Sequence, residues 1–327
     1  MDNLYEMIQK ADSGDAEAQW RVAYYIVCEN MNEDIEADWL ERAINYFKLA
    51  AAQDYTDAML DLAAMYNIGR GVAHDMDLAI YWWKRAAACL CPNAFCPLGV
   101  YDGREEDGTY TQVSFGYFLK GALLDDPECI GELGVMYFNG AYVDQDQIFA
   151  FDLYKRSYDY MIHDTCREGF SEAYMRYEGF GEICMRLGMC YNDGSGTKYD
   201  INMAKNYFLI AIKAYEYRME KGYPKEFYMG GYNRAKFLLK RITADRTLVE
   251  NNVVETEIIT PESLYKFGVD FFENKQDYEK AFKYFAKCIL HKTNVSCNAF
   301  PFLARMYRES IYVDIDEKFA EFLERQT

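Results

Sequence analysis

The chain has 327 residues, 51% of them apolar and 17% aromatic, with only 6 prolines, so it can bury a large core and favours helices. Its net charge of −18 excludes a general nucleic-acid binder, because phosphates would be repelled, and favours a basic partner. No apolar run approaches the ~18–20 residues that span a bilayer. The opening MDNLYEMIQKADSG has no basic or apolar leader region, so a cytoplasmic protein with reduced cysteines is expected, without membrane attachment.

From the N-terminus, Met1 to Leu60 carries 13 acidic and 4 basic side chains, the densest acidity in the chain. Within it begins a pattern in which an Ala is followed three residues later by an aromatic pair. Ala43 with Tyr46–Phe47 is followed by Ala79 with Trp82–Trp83, Ala204 with Tyr207–Phe208 and Ala281 with Tyr284–Phe285. Ser114 with Tyr117–Phe118 and Ala150 with Leu153–Tyr154 keep the register less fully. A second pattern, Leu-(Gly/Ala)-x-x-Tyr, ends at Tyr66, Tyr137, Tyr191 and Tyr307, with a shortened LGVY ending at Tyr101 and a degenerate FGVDF ending at Phe271. Tyr66, Tyr101 and Tyr137 are 35 and 36 residues apart, and the aromatic pairs keep the same period. Two patterns sharing one period mark an internal repeat.

Each repeat reads as a helical hairpin. Gly69, Gly140 and Gly194 fall three residues after the motif Tyr, where a helix stops in a left-handed residue. Asp75, Asp146, Asp200 and Asp277 precede the pattern Ala by four, the place of a helix N-cap. The second helix sets Ala beside large aromatics on one face, which a single hairpin cannot bury and a stack can. Both Trp82 and Trp83 are expected in the core.

The segment GRGVAHDMDLAIYWWKRAA, Gly69 to Ala87, resembles the signature of the Sel-1-like repeat family, a branch of the tetratricopeptide-type solenoids. FNGAYVDQDQIFAFDLYKRS from Phe138 and NDGSGTKYDINMAKNYFLIA from Asn192 are weaker copies. The resemblance covers about Ala16 to Tyr217 with an interruption, and more faintly Ser263 to Tyr307. It implies an all-α, right-handed α/α superhelical solenoid that holds a partner on its concave side as a scaffold or adaptor. A few family members are linked to peptidoglycan or β-lactam chemistry, which keeps a hydrolase as the alternative class.

Three regions depart from the period. His163 to Phe180 lies in the lengthened gap between Tyr137 and Tyr191 and reads as an insertion near 160–180. Arg218 to Arg246 turns basic, with 8 basic and 3 acidic side chains, and its NRAKFLLKR stretch places Lys236 and Lys240 on one helical face. That face is either solvated or a local anion or partner site. Ile242 to Pro261 is β-branched and acidic and reads as irregular. The expected organisation is a main solenoid over 1–241, a linker over 242–262, and C-terminal repeats with a capping helix over 263–327.

Catalytic signals are weak. Ser195-Gly-Thr-Lys198 and Ser263-Leu-Tyr-Lys266 spell S-x-x-K without the companion motifs of penicillin-recognising enzymes. Cys89, Cys91 and Cys96 lack a fourth zinc ligand, and His74, His163 and His291 are scattered. In secreted relatives disulfides join neighbouring repeats at junctions such as that of Cys288 and Cys297, but here a reduced pair is expected. The expectation is a protein that is not an enzyme and needs no cofactor or metal.

The strongest binding signal is a row on the first helices. Five and one residues before the motif Leu stand Asp57 and Asp61, Asn93 and Pro97, Glu128 and Glu132, then Glu182 and Arg186, each couple one turn apart on one face. Such a row forms either a concave acidic groove for a basic peptide or protein surface, or a solvated stripe. A regulatory, immunity or anti-defence subunit that masks a basic active site is the narrower form of the first reading.

Overall fold

A computed structural model describes residues 4–29, 37–166, 177–221, 225–244 and 259–326. These contain sixteen α-helices: α1 (Leu4–Asp12), α2 (Ala16–Tyr24), α3 (Ala37–Ala52), α4 (Thr56–Ile68), α5 (Met76–Ala88), α6 (Phe95–Tyr101), α7 (Gln112–Leu123), α8 (Pro127–Asn139), α9 (Gln147–Cys166), α10 (Phe180–Asp193), α11 (Ile201–Glu220), α12 (Lys225–Ala244), α13 (Pro261–Val269), α14 (Tyr278–Leu290), α15 (Phe300–Arg308) and α16 (Glu317–Glu324). Among the described residues the β-structure is one isolated bridge, between Arg104 and Tyr110. The helices pair as α2/α3, α4/α5, α6/α7, α8/α9, α10/α11, α13/α14 and α15/α16, and successive hairpins of the main array stack on one another as an α/α solenoid.

The hairpin turns are built by the residues that the period singles out. Gly69, Gly140 and Gly194 end α4, α8 and α10 with φ of 71°, 66° and 70°. A left-handed residue there turns the chain out of the helix at no Cβ cost. The next Asp then acts twice. Its side chain caps the second helix: Asp75 accepts from the Leu78 N–H at 3.0 Å, Asp146 from Phe149 at 2.9 Å and Asp200 from Met203 at 3.0 Å. Its own N–H donates back to the motif Tyr carbonyl, from Asp75 to Tyr66 at 3.0 Å, Asp146 to Tyr137 at 2.8 Å and Asp200 to Tyr191 at 2.9 Å. One residue thus joins the end of one helix to the start of the next. Asp277 and Asp316 repeat both bonds in the last two hairpins.

Packing inside each hairpin sets small against large. A Cβ at Gly134 would lie 2.7 Å from the Tyr154 ring, one at Gly188 2.7 Å from Phe208, and one at Gly268 2.6 Å from Phe285. The Gly of the Leu-Gly motif is therefore the seat of the second aromatic of the pair in the following helix. That second aromatic is always core: Phe47, Trp83, Phe118, Tyr154, Phe208 and Phe285 are all buried. The first is variable, and here one expectation is corrected. Trp82 is only half-buried, with Tyr81 on its edge and the Arg85 guanidinium over its ring. Trp83, four residues after Ala79, shares the buried stripe of Ala79 and Ala86, while Trp82 falls on its flank.

Two departures resolve differently. α9 runs on to Cys166, into the expected insertion, and 167–176 lie outside the described residues. The helical period does not break at Ile242, because α12 continues to Ala244, and Pro261 already opens α13 with Thr260 as its N-cap. Most of the expected linker, 245–258, lies outside the described residues.

The C-terminal hairpins fold back on the array. Phe115 of α7 meets Phe282 of α14 edge to face at 5.9 Å, and the Tyr142 and Tyr312 hydroxyls are 2.8 Å apart. Gln112 donates to the Tyr312 carbonyl, and Arg156 of α9 to the Leu290 carbonyl that ends α14. Lys287 pairs with Asp146 at 2.7 Å, Lys120 with Asp316, and Lys292 with Asp125. Lys318 of α16 donates to the Ala88 carbonyl at the end of α5, at 2.9 Å. One continuous apolar core runs from Phe95 to Leu323, and the first hairpins hold a second core around Phe47 and Met59. The docking surface consists of the second helices α5, α7 and α9 and their flanking turns. None of these contacts involves the first-helix row.

Candidate functional site

The row begins at the N-terminal end of the array. Asp57 is exposed on the first turn of α4. One turn later Asp61 accepts a hydrogen bond from the Trp20 indole N–H at 2.7 Å, across from α2. Burial pushes the Asp61 carboxyl up to about 6, the Trp20 bond opposes this, and the charge of Asp57 adds to it. In the next repeat the row is interrupted. Asn93 lies in a 3-10 turn before α6, and Pro97 follows in the first turn of that short helix.

On α8, Glu128 accepts from the Gly179 N–H at 2.8 Å, at the entry to α10. Burial raises its carboxyl to about 7; Asp126 adds to the rise, and the Gly179 bond and Arg218 oppose it. Asp126 itself caps α8 through the Cys129 N–H at 2.6 Å and is buried, which lifts it to about 6. One turn on from Glu128, Glu132 pairs with Arg104 at 2.6 Å and accepts from the Tyr110 hydroxyl at 2.9 Å. Arg104 also lies over the Tyr110 ring, 4.2 Å from its centroid. On α10, Glu182 pairs with Arg186 at 2.8 Å, and Tyr215 of α11 donates to Glu182 at 3.3 Å. Burial works against the charge on Arg186; Glu182 opposes it first, then Tyr154, Glu132 and Tyr110, and its pKa ends above the usual value.

The row therefore has two halves. Glu132 and Glu182 are each neutralised by an arginine of this chain. Asp57, Asp61 and Glu128 have no ion-pair partner among the described residues. Arg104, Tyr110, Trp20 and Tyr215 complete the site and are not singled out by the repeat pattern. Arg104 carried a faint signal, as the only basic residue in the loop DGREEDG. Chemically, the row combines two carboxylates held by neutral N–H donors, Asp61 and Glu128, with two held by arginines and tyrosine hydroxyls, Glu132 and Glu182.

Other motifs remain separate from it. Ser263 is the third residue of α13, where its N–H is capped by Thr260. Cys288 is buried and its thiol reaches the Pro261 carbonyl, whereas Cys297 is exposed. No helix of the described residues is long and apolar enough to cross a membrane.

Several solved structures are similar in fold. A protective antigen of uropathogenic Escherichia coli displaying an SLR fold is 21% identical over 100% of this chain and 79% of that one, with a TM-score of 0.43. A Sel1 repeat protein from Oxalobacter formigenes is 18% identical over 98% of this chain and 85% of that one, with a TM-score of 0.38. An immunity protein from Pseudomonas aeruginosa is 18% identical over 71% of this chain and 83% of that one, with a TM-score of 0.41. Curated proteins gave no significant match. The Sel1 repeat model matches residues 16–55, 56–89, 127–159, 182–215 and 264–287, just over half of the chain. It leaves out 90–126, where α6 and α7 form a hairpin in the same register. With five matched repeats built as stacked hairpins, the chain belongs to the Sel1-repeat family.

Proposed function

We propose that the protein is a non-catalytic scaffold that holds a basic peptide or protein surface against the first-helix row of Asp57, Asp61, Glu128, Glu132, Glu182 and Arg186. The Sel1-repeat fold supports protein–protein interaction in general. One observation carries the finer reading. Asp61 and Glu128 are desolvated carboxylates whose hydrogen bonds come from neutral N–H groups. A lysine or arginine from a partner would supply the missing counter-charge where water is partly excluded, so it would gain more than at an open surface. By masking a basic surface of its partner, the scaffold would act as an inhibitory or immunity subunit in the cytoplasm.

The test is titration with a lysine-rich peptide, followed by affinity and proton release. Binding should shift both carboxyl pKa values down and release protons near neutral pH, and it should weaken as salt rises. The combined substitution Asp57→Asn, Asp61→Asn and Glu128→Gln should abolish the proton release and most of the affinity. Glu132 and Glu182 are left intact because each holds an arginine. Equal binding by this variant, without proton release in either protein, would place the partner surface elsewhere.

A further inference from the structure

The other end of the main array carries the opposite charge. Lys205, Leu209 and Ile212 of α11 face Lys236, Leu239, Lys240 and Thr243 of α12 across an open groove of roughly 460 Å³. The residues recur at helical spacing on both walls, so the groove runs along the two helices for two turns, about 10 Å at ~1.5 Å per residue. Its floor is apolar and its rim is three ammonium groups, in a chain of net charge −18. Neither Lys205 nor Lys240 is paired with a carboxylate among the described residues, and Lys236 bonds the Tyr232 hydroxyl at 3.1 Å. Leu209, on the groove wall, is 46% exposed.

The repeat explains why the groove is open. α12 packs on α11 as the first helix of a further hairpin, as α4 packs on α3 and α8 on α7. In each of those hairpins a second helix then covers the first. The next described helix, α13, does not return to α12. It joins α14, which docks on α7. Among the described residues, α12 is a first helix without its second.

We propose that this groove is a docking site for an amphipathic helix of a partner protein, with two turns of apolar side chains flanked by Asp or Glu. The partner helix takes the place of a second helix, which α12 lacks among the described residues. Its apolar side chains cover Leu209, Ile212 and Leu239, and its carboxylates meet Lys205, Lys236 and Lys240. Helix-in-groove recognition of this kind is read out by apolar anchors one turn apart, with charge setting the partner choice. The protein would then carry two surfaces of opposite sign, an acidic row on the first helices and a basic groove at the end of the array.

The test uses a displayed library of helical peptides selected on the immobilised full chain. Enriched peptides should carry an apolar stripe flanked by Asp and Glu. Their affinity should fall about tenfold or more with Leu209→Asp or with Lys236→Glu/Lys240→Glu, as loss of central contacts in a small interface does. Both changes are at exposed positions, and an unchanged circular dichroism spectrum and melt would show the fold intact. A peptide with its acidic residues replaced by lysine should bind the Lys236→Glu/Lys240→Glu variant better than the wild type. The proposal is overturned if enriched peptides are not acidic or bind these variants equally. It also fails if phosphatidylglycerol vesicles bind through these residues while peptides do not. Strong hydrogen-exchange protection of the groove residues in the free chain would mean that the chain itself fills the site.

Discussion

At the level of single residues, position within the repeat decides more than residue type. Trp82 and Trp83 are adjacent and chemically identical, yet only Trp83 lies on the Ala79–Ala86 stripe, stacked on Tyr101 at 5.5 Å. Trp83→Ala should cost ~3–5 kcal/mol, as large aromatic truncations in cores do. Trp82→Ala should cost well under half of that in the same thermal melt. The motif glycines make the converse point. Gly188→Ala drives a methyl into the Phe208 ring and should destabilise by ~1–3 kcal/mol, the usual range for overpacking. Pairing it with Phe208→Leu should recover part of that loss. The carboxyls of Asp61, Asp126 and Glu128 set a pH dependence. Their folded values, about 6, 6 and 7, lie above the ordinary 3.8 and 4.5. The folded chain thus binds these protons more tightly than the unfolded one. The stability they contribute is complete below pH ~4 and is lost as pH rises through 6 to 7. Asp61→Asn/Glu128→Gln should therefore flatten the fall in melting temperature between mildly acidic and neutral pH. An unaltered slope would show that these groups ionise freely.

Among the helices, the Asp that opens α5, α9, α11, α14 and α16 is both cap and tie. Asp200→Ala should cost ~0.5–2 kcal/mol by loss of its acceptor to Asn202 and Met203, and Asp200→Asn much less, since Asn also caps. This part of the structure was legible in the sequence, because Gly at the end of one helix and Asp at the start of the next act on their immediate neighbours. The 35–36 residue period therefore located hairpins such as α6/α7 that the family model does not match. The same local reasoning placed Lys236 and Lys240 on one helical face, and the structure makes that face one wall of a groove. It could not find the partners of the row. Arg104 lies 28 residues before Glu132, and Trp20 lies 41 residues before Asp61. Such pairings depend on how one hairpin sits on the next, and no spacing within a repeat encodes them.

On the scale of the whole chain, the fold-back of the last hairpins was the least legible feature. Phe115 and Phe282 are ordinary pattern aromatics, and nothing nearby in sequence says that they meet. The contact changes how stability is distributed. In a simple stack each repeat is held only by its neighbours, but α7 and the start of α9 are also contacted by α14 and the α15/α16 hairpin. Hydrogen exchange should be slowest in α7, α8, α9 and α14. It should be faster in α1 to α3, which belong to the separate N-terminal core. Phe282→Ala should speed exchange in α7 and α9 as well as in α14. Acceleration confined to α14 would mean that the two parts of the core do not share their stability.

A row of stacked hairpins is mechanically a spring, whose curvature alters when each joint slips a little. Here the last two hairpins lie across several joints, from the Ala88 carbonyl at the end of α5 to Asp125 in the turn between α7 and α8 and on to Tyr160 in α9. Bending the middle of the coil would stretch or shear this strut, so the arc is set before any visitor arrives. The molecule should therefore behave as a bracket with a stiff centre and two more compliant arms, one at α1–α3 and one at α11–α12. A partner held on the central arc, as proposed, would have to match its radius as built, while adjustment to different partners would be concentrated in the arms.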